Sequence, residues 1–126
     1  MQIRVFTLCD GAYNYNGKLT IVGTTDNIKV PRTPAIVSIG LAIKVSFEPN
    51  EYGEKRLSVK IIDSENNSVM TPLVLPPTEA RARGGEEAKI VLAGNLQGLS
   101  VNNDGDYRVV LTINDEDYIL PFKVIR

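Results

Sequence analysis

The chain has 126 residues, 43% hydrophobic and 23% charged, enough for one domain around one core and ordinary for a globular protein. Its 14 basic and 15 acidic residues leave a formal net charge of -1, which argues against nucleic acid as a partner, because phosphate neutralisation dominates such binding. No run approaches the roughly 20 apolar residues of a membrane span, and the lack of histidine removes the commonest general base, the usual zinc ligand and every Ser-His or Cys-His device.

The chain opens with a strand over Gln2 to Leu8 that is apolar on both faces, Ile3 and Val5 against Phe6 and Leu8. No basic region with an apolar stretch and cleavage site precedes it, so no signal peptide is expected. One cysteine, Cys9, allows no internal disulfide, and together these features point to the cytoplasm. Residues 11–17, GAYNYNG, read as a loop or wide turn. Strands follow over Lys18 to Gly23 and Asn27 to Val30, ended by Pro31 and Pro34.

The clearest strand is Ile36 to Phe47. Val37, Ile39, Leu41, Ile43, Val45 and Phe47 share one face; Ser38, Gly40, Ala42, Lys44 and Ser46 share the other. The second face is small enough to admit a close-packed neighbour or a partner surface, although a plain outer face with one lysine is the simpler reading. Residues 48–55 are turn-rich. Arg56 to Asp63 places Leu57, Val59 and Ile61 inward, and residues 64–67 turn. Val69 to Leu75 is extended but interrupted by Pro72. The longest polar segment, Pro76 to Glu86, is expected to be a mobile solvated loop. Glu87 to Leu96 is a strand with Ala88, Ile90, Leu92 and Leu96 in phase, and residues 97–105 lead into a closing hairpin. Eight to nine short strands with turns between them predict an all-β protein, a two-sheet antiparallel β-sandwich of immunoglobulin-like build, as a single domain over residues 1–126.

The hairpin's register follows from alternation. Ile113 opposite Tyr118 brings Leu111 to Leu120, Val109 to Phe122 and Tyr107 to Val124, so every apolar residue meets another. The turn residues Asn114, Asp115, Glu116 and Asp117 lack glycine, so a four-residue loop around a type I turn is expected. Pro121 cannot donate to a ladder and implies an edge strand or bulge. Tyr107, two residues after Gly105, reads as a core tyrosine whose hydroxyl bonds nearby backbone, as in a tyrosine corner.

Cys9-Asp10-Gly11-Ala12, Gly17-Lys18-Leu19, Val22-Gly23, Asp26-Asn27-Ile28 and the Gly105-Asp106-Tyr107 entry to the hairpin resemble an uncharacterised bacterial family of small immunoglobulin-like β-sandwich domains. The resemblance covers both ends of the chain. It implies that fold and no assigned activity, so no functional residue carries over.

No catalytic residue, cofactor or metal site is expected. Cys9 has no histidine to activate it and reads as a small core hydrophobe. The acidic loops 103–106 and 114–117 offer oxygen ligands for calcium, but a strand of about seven residues separates them by more than ~20 Å; Asp and Asn also make turns. Arg81 and Arg83 could clamp an anion, yet Glu79, Glu86 and Glu87 nearly cancel them. Strand alternation groups Asp10, Tyr13, Tyr15, Asn66, Asn103 and Asp104 at one end of the sandwich, the best candidate recognition loops. The expected function is a non-enzymatic interaction or structural module with an unidentified protein partner, possible homodimer formation through a sheet edge or face included. The alternative is a small-ligand or calcium-binding domain using the Tyr13, Tyr15 and Asp104 end. An enzyme would need carboxylates such as Asp10 and Asp63 to converge.

Overall fold

Period-two alternation and β-branched runs leave no apolar stripe at helical spacing, and the chain forms strands throughout. The computed structural model describes all 126 residues. Its eleven strands are β1 (Gln2–Tyr15), β2 (Lys18–Thr25), β3 (Asn27–Lys29), β4 (Ala35–Phe47), β5 (Gly53–Lys55), β6 (Leu57–Asp63), β7 (Leu73–Val74), β8 (Thr78–Ala80), β9 (Ala88–Val101), β10 (Gly105–Ile113) and β11 (Glu116–Ile125). A four-stranded sheet has the order β2-β1-β4-β9 and a five-stranded sheet β3-β11-β10-β6-β7. β5 and β8 pair as a third, two-stranded sheet. All pairs are antiparallel except β3 with β11.

The all-β antiparallel expectation holds, with three amendments. There are three sheets rather than two, and eleven strands rather than eight or nine, because residues read as loops pair as β5 and β8. The chain changes sheet at one residue, Asp26, between β2 and β3. The four-stranded sheet also curls on itself.

The inward face of β4 packs on Leu57, Val59 and Ile61 of β6, Tyr107, Val109, Leu111 and Ile113 of β10, and Phe122 and Val124 of β11. Each such side chain contributes about 1.5–3 kcal/mol by leaving water. Tyr107 is buried, its ring stacks on Phe122 at 5.5 Å, and its hydroxyl donates to the Asn103 carbonyl at 2.6 Å.

The curl is visible in one side chain. β4 lies between β1 and β9 in the sheet, yet the Ala12 N–H donates to Asn95 Oδ1 at 3.3 Å and Asn95 Nδ2 donates to the Ala12 carbonyl at 3.4 Å. The end of β1 therefore crosses the outer face of β4. Cys9, Ala12 and Ala42 form a small buried cluster there, flanked by Leu19, Ile21 and Ala93. A Cβ on Gly40 would lie 2.8 Å from Cys9 Sγ, 3.0 Å from the Cys9 carbonyl oxygen and 3.1 Å from Gly11 Cα. The small outer face of β4 thus serves a close-packed neighbour from its own chain, not the plain solvent face expected.

Two turns also differ from expectation. Residues 11–17 are no loop: β1 runs to Tyr15, and Asn16 and Gly17, with φ of 52° and 81°, turn straight into β2. The closing hairpin pairs Ile113 with Glu116, Leu111 with Tyr118, Val109 with Leu120 and Tyr107 with Phe122. The expected register is displaced by two residues, because Asn114 and Asp115 alone make the turn, with φ of 46° and 69°. A shift of two keeps every side chain on its face, so the apolar pairing survives with changed partners. Pro121 sits where β11 lacks a second neighbour, since β3 pairs only with Lys123, Val124 and Ile125.

Candidate functional site

β9 is a long edge strand. One side pairs with β4 from Ala88 to Val101; on the other, Ser100 donates its N–H to the Val69 carbonyl at 3.1 Å. Residues 89–97 carry no second ladder, an open edge of about 30 Å at ~3.3 Å per residue. Native edges are usually blunted by charge, proline or a bulge. Beyond Lys89 this stretch has no charge and no proline, and its irregularity lies at the far end, where Gly98 adopts φ of 73°.

Beside this edge the core opens to the surface. β7, at the end of the five-stranded sheet, is only two residues long, too short to close the mouth between the sheets. The resulting cleft of about 100 Å³ is lined by Leu41, Ile43, Val59, Leu73, Leu75, Leu92, Ala93, Gly94 and Leu96. Leu73, 44% exposed, stands at its mouth. Unpaired backbone next to unfilled apolar space is the arrangement that accepts an added strand.

The two ends of β9 differ in charge. At its start, Arg4, Lys44, Glu86, Glu87 and Lys89 surround a shallow depression. Arg4 grips Glu87 through Nη2 at 3.0 and 3.2 Å and donates through Nε to Ser46 Oγ at 3.1 Å. Those contacts, Arg4 first and Ser46 second, hold the Glu87 carboxyl below its usual range. Beyond the far end of β9 lies a cleft lined by Asp63, Glu65, Asn67, Ser100, Asn102, Asn103, Asp104 and Asp106, among others. Asp63 Oδ1 accepts the N–H of Asn67 at 2.8 Å and of Glu65 at 2.9 Å, and those backbone donors, Asn67 foremost, lower its pKa. Asp104 pairs with Arg126 at 3.5 Å.

The predicted recognition residues divide between two places. Asn103 and Asp104 line the acidic cleft, and Asn66 lies in the turn that forms another of its walls, where it accepts a hydrogen bond from Arg108. Asp10, Tyr13 and Tyr15 do not line it. Asp10 lies against Gly23 in the β1–β2 pair. Tyr13 and Tyr15 stand exposed on β1 with ring centroids 6.2 Å apart. Asp63 lines the acidic cleft and Asp10 does not. The Arg81–Arg83 segment is not the free loop expected: β8 precedes it, Arg81 pairs with Glu79 at 3.2 Å, and the Tyr52 hydroxyl donates to the carbonyls of Ala82 and Glu86. Burial raises the Cys9 thiol pKa, which leaves it a poor nucleophile.

The residues of the β9 edge were not singled out by sequence reasoning. Their run, IVLAGNL, reads equally as a central strand. The nearest signal is Pro72, which interrupts the chain between the Val69 contact with Ser100 and the two-residue β7.

These features define a small all-β protein of mainly antiparallel sheets, in which β9 presents a long open edge beside an apolar cleft. By sequence the chain belongs to DUF6941, a family of unknown function, whose pattern it matches over residues 4–125. No curated protein matches it by sequence. Among solved structures it is similar to part of the Pseudomonas fluorescens alkylpurine DNA glycosylase AlkC bound to DNA containing an abasic site analog, with a TM-score of 0.62 at 11% identity, over 99% of this chain and 30% of that one. A Listeria innocua beta-glucosidase in complex with glucose matches at a TM-score of 0.47 and 13% identity, over 80% of this chain and 15% of that one. The first likeness is one of fold alone.

Proposed function

We propose that this protein is a non-catalytic protein-interaction module, immunoglobulin-like in build, that binds an extended partner strand along the open edge of β9. The observation that carries this reading is the unpaired, nearly uncharged stretch 89–97 beside an apolar cleft. Main-chain hydrogen bonds along such an edge supply affinity, and the cleft supplies side-chain selectivity. A single buried cysteine suits a reducing compartment, so the cytoplasm is the proposed location. The even balance of charge favours protein over nucleic acid as the partner.

The test is photo-cross-linking in cells, with the reactive amino acid at Val91 on the edge and at Lys60 on the outer face of the five-stranded sheet as control. Position 91 should yield a discrete protein adduct that position 60 does not, and Gly94→Lys should abolish it. No adduct at 91, or the same adducts from both positions, would sink the reading.

The acidic cleft favours a second reading, a cation or small polar ligand held by Asp63, Glu65, Asp104 and Asp106. It is the weaker one, because Asp63 already serves backbone N–H groups and Asp104 already pairs with Arg126. A ligand that binds only the folded state raises the melting midpoint; an unchanged midpoint with Ca²⁺ and a metabolite panel would remove this reading.

A further inference from the structure

We propose that the occupant of the β9 edge is a second copy of the same chain, paired antiparallel about a two-fold axis at Ala93. The proposal rests on the interaction reading above and names its partner. The four-stranded sheet would continue across the axis into an eight-stranded one.

Symmetry sets the register. In an antiparallel pair the sum of paired residue numbers is constant. A two-fold axis perpendicular to the sheet keeps each side chain on its own face only when one residue pairs with its own copy. The open stretch 89–97 is centred on Ala93. Centring there pairs Lys89 with Gln97, Ile90 with Leu96, Val91 with Asn95 and Leu92 with Gly94. No like charges face each other, and core-facing residues meet core-facing residues. A Cβ on Gly94 would have no atom within 4 Å, so Leu92 of the second copy has room over Gly94, beside the apolar cleft.

Charge complementarity points the same way. Antiparallel pairing sets the start of one β9 beside the far end of the other. At the start, Arg4, Lys44 and Lys89 stand against Glu86 and Glu87, a net charge of +1 (3 − 2), and neither lysine lies within 4 Å of a carboxylate. At the far end Asp63, Glu65, Asp104 and Asp106 outnumber Arg126, and neither Glu65 nor Asp106 is in an ion pair. Opposite charges so placed steer association and disfavour the parallel alternative.

Light scattering over a concentration series, with the whole chain, tests this. The expected result is a monomer–dimer equilibrium reaching twice the 13.8 kDa of one chain. Dissociation should strengthen with added salt as the end charges are screened. Gly94→Lys should raise the dissociation constant by about tenfold or more, the effect of ~1.4 kcal/mol or more. Two cysteine variants fix the register under mild oxidation, with the wild type, whose only thiol is the buried Cys9, as background. Ala93→Cys, combined with Cys9→Ala because Ala93 flanks the Cys9 cluster, should form a disulfide-linked dimer, and so should Lys89→Cys combined with Gln97→Cys. Circular dichroism confirms that each variant is folded. A strict monomer overturns the proposal, and so does a dimer in which neither cysteine variant cross-links. A strict monomer whose position 91 still cross-links to a different protein overturns self-pairing alone and leaves the interaction function standing.

Discussion

Gly40 shows how a residue type can be dictated by chain passing overhead. Its backbone φ is not in the left-handed region, so its requirement for glycine is steric. The contacts of 3.0 and 3.1 Å that a Cβ would make are to backbone atoms of Cys9 and Gly11, which cannot swing aside as a side chain can. Gly40→Ala should therefore cost about 1–3 kcal/mol, the usual range for overpacking. Gly94 lies in the same sheet, also without positive φ and with open space where its Cβ would be. Gly94→Ala in dilute protein should cost less than ~0.5 kcal/mol. Urea unfolding of both variants checks the contrast. Equal midpoints would mean that β1 does not press on β4 as described.

At the scale of the element, strand faces were legible in the sequence and strand ends were not. Alternation in β4, β6, β10 and β11 identified the inward residues, because one buried face imposes period two whatever the partners are. Turn chemistry was harder. Asn114 and Asp115 both adopt positive φ, a conformation that Asn and Asp tolerate but glycine signals more plainly. A contact far along the chain selects it: Asn114 Oδ1 accepts the Arg56 N–H at 2.9 Å, and the Asn114 N–H donates to the Arg56 carbonyl at 3.0 Å. Local propensity does not reveal such a bond. The Asn16-Gly17 pair did carry the standard hairpin signal, but the polar, aromatic residues before it looked like loop. Asp115→Gly relieves an L-residue at φ of 69° and should stabilise the protein. The gain should be a few tenths to ~1 kcal/mol, less than the full left-handed penalty because glycine loses more entropy on folding. The urea midpoint should rise with an unchanged slope; a lower midpoint would favour the four-residue loop.

At the scale of the whole molecule, the sequence said little of the candidate site because the site is made of what does not pair. Leu41, Ile43 and Val59 are ordinary core residues; they become a cleft wall only because β7 stops after two residues. The polar groups around the two ends of β9 are more informative about stability, and they contribute to its pH dependence beside Glu51, whose carboxyl pKa is lowered by its bond with the N-terminal ammonium. Asp63 has a lowered pKa through the N–H groups of Asn67 and Glu65, and Glu87 through Arg4 and Ser46. With the folded pKa below the unfolded value, the unfolded chain binds more protons in the interval between them, so stability falls as pH falls. The contribution of both groups is complete above the unfolded carboxylate values of about 4 and is lost as pH drops through the folded ones. A series of melting midpoints should therefore be flat from neutral pH down to about 5 and then decline. Asp63→Asn keeps an oxygen acceptor for the same two N–H groups but cannot be protonated in this range. Combined with Glu87→Gln it should lower the neutral-pH midpoint slightly and flatten the acid decline. If the double variant declines as steeply as the wild type, these two carboxylates are not the groups through which acid loosens the fold.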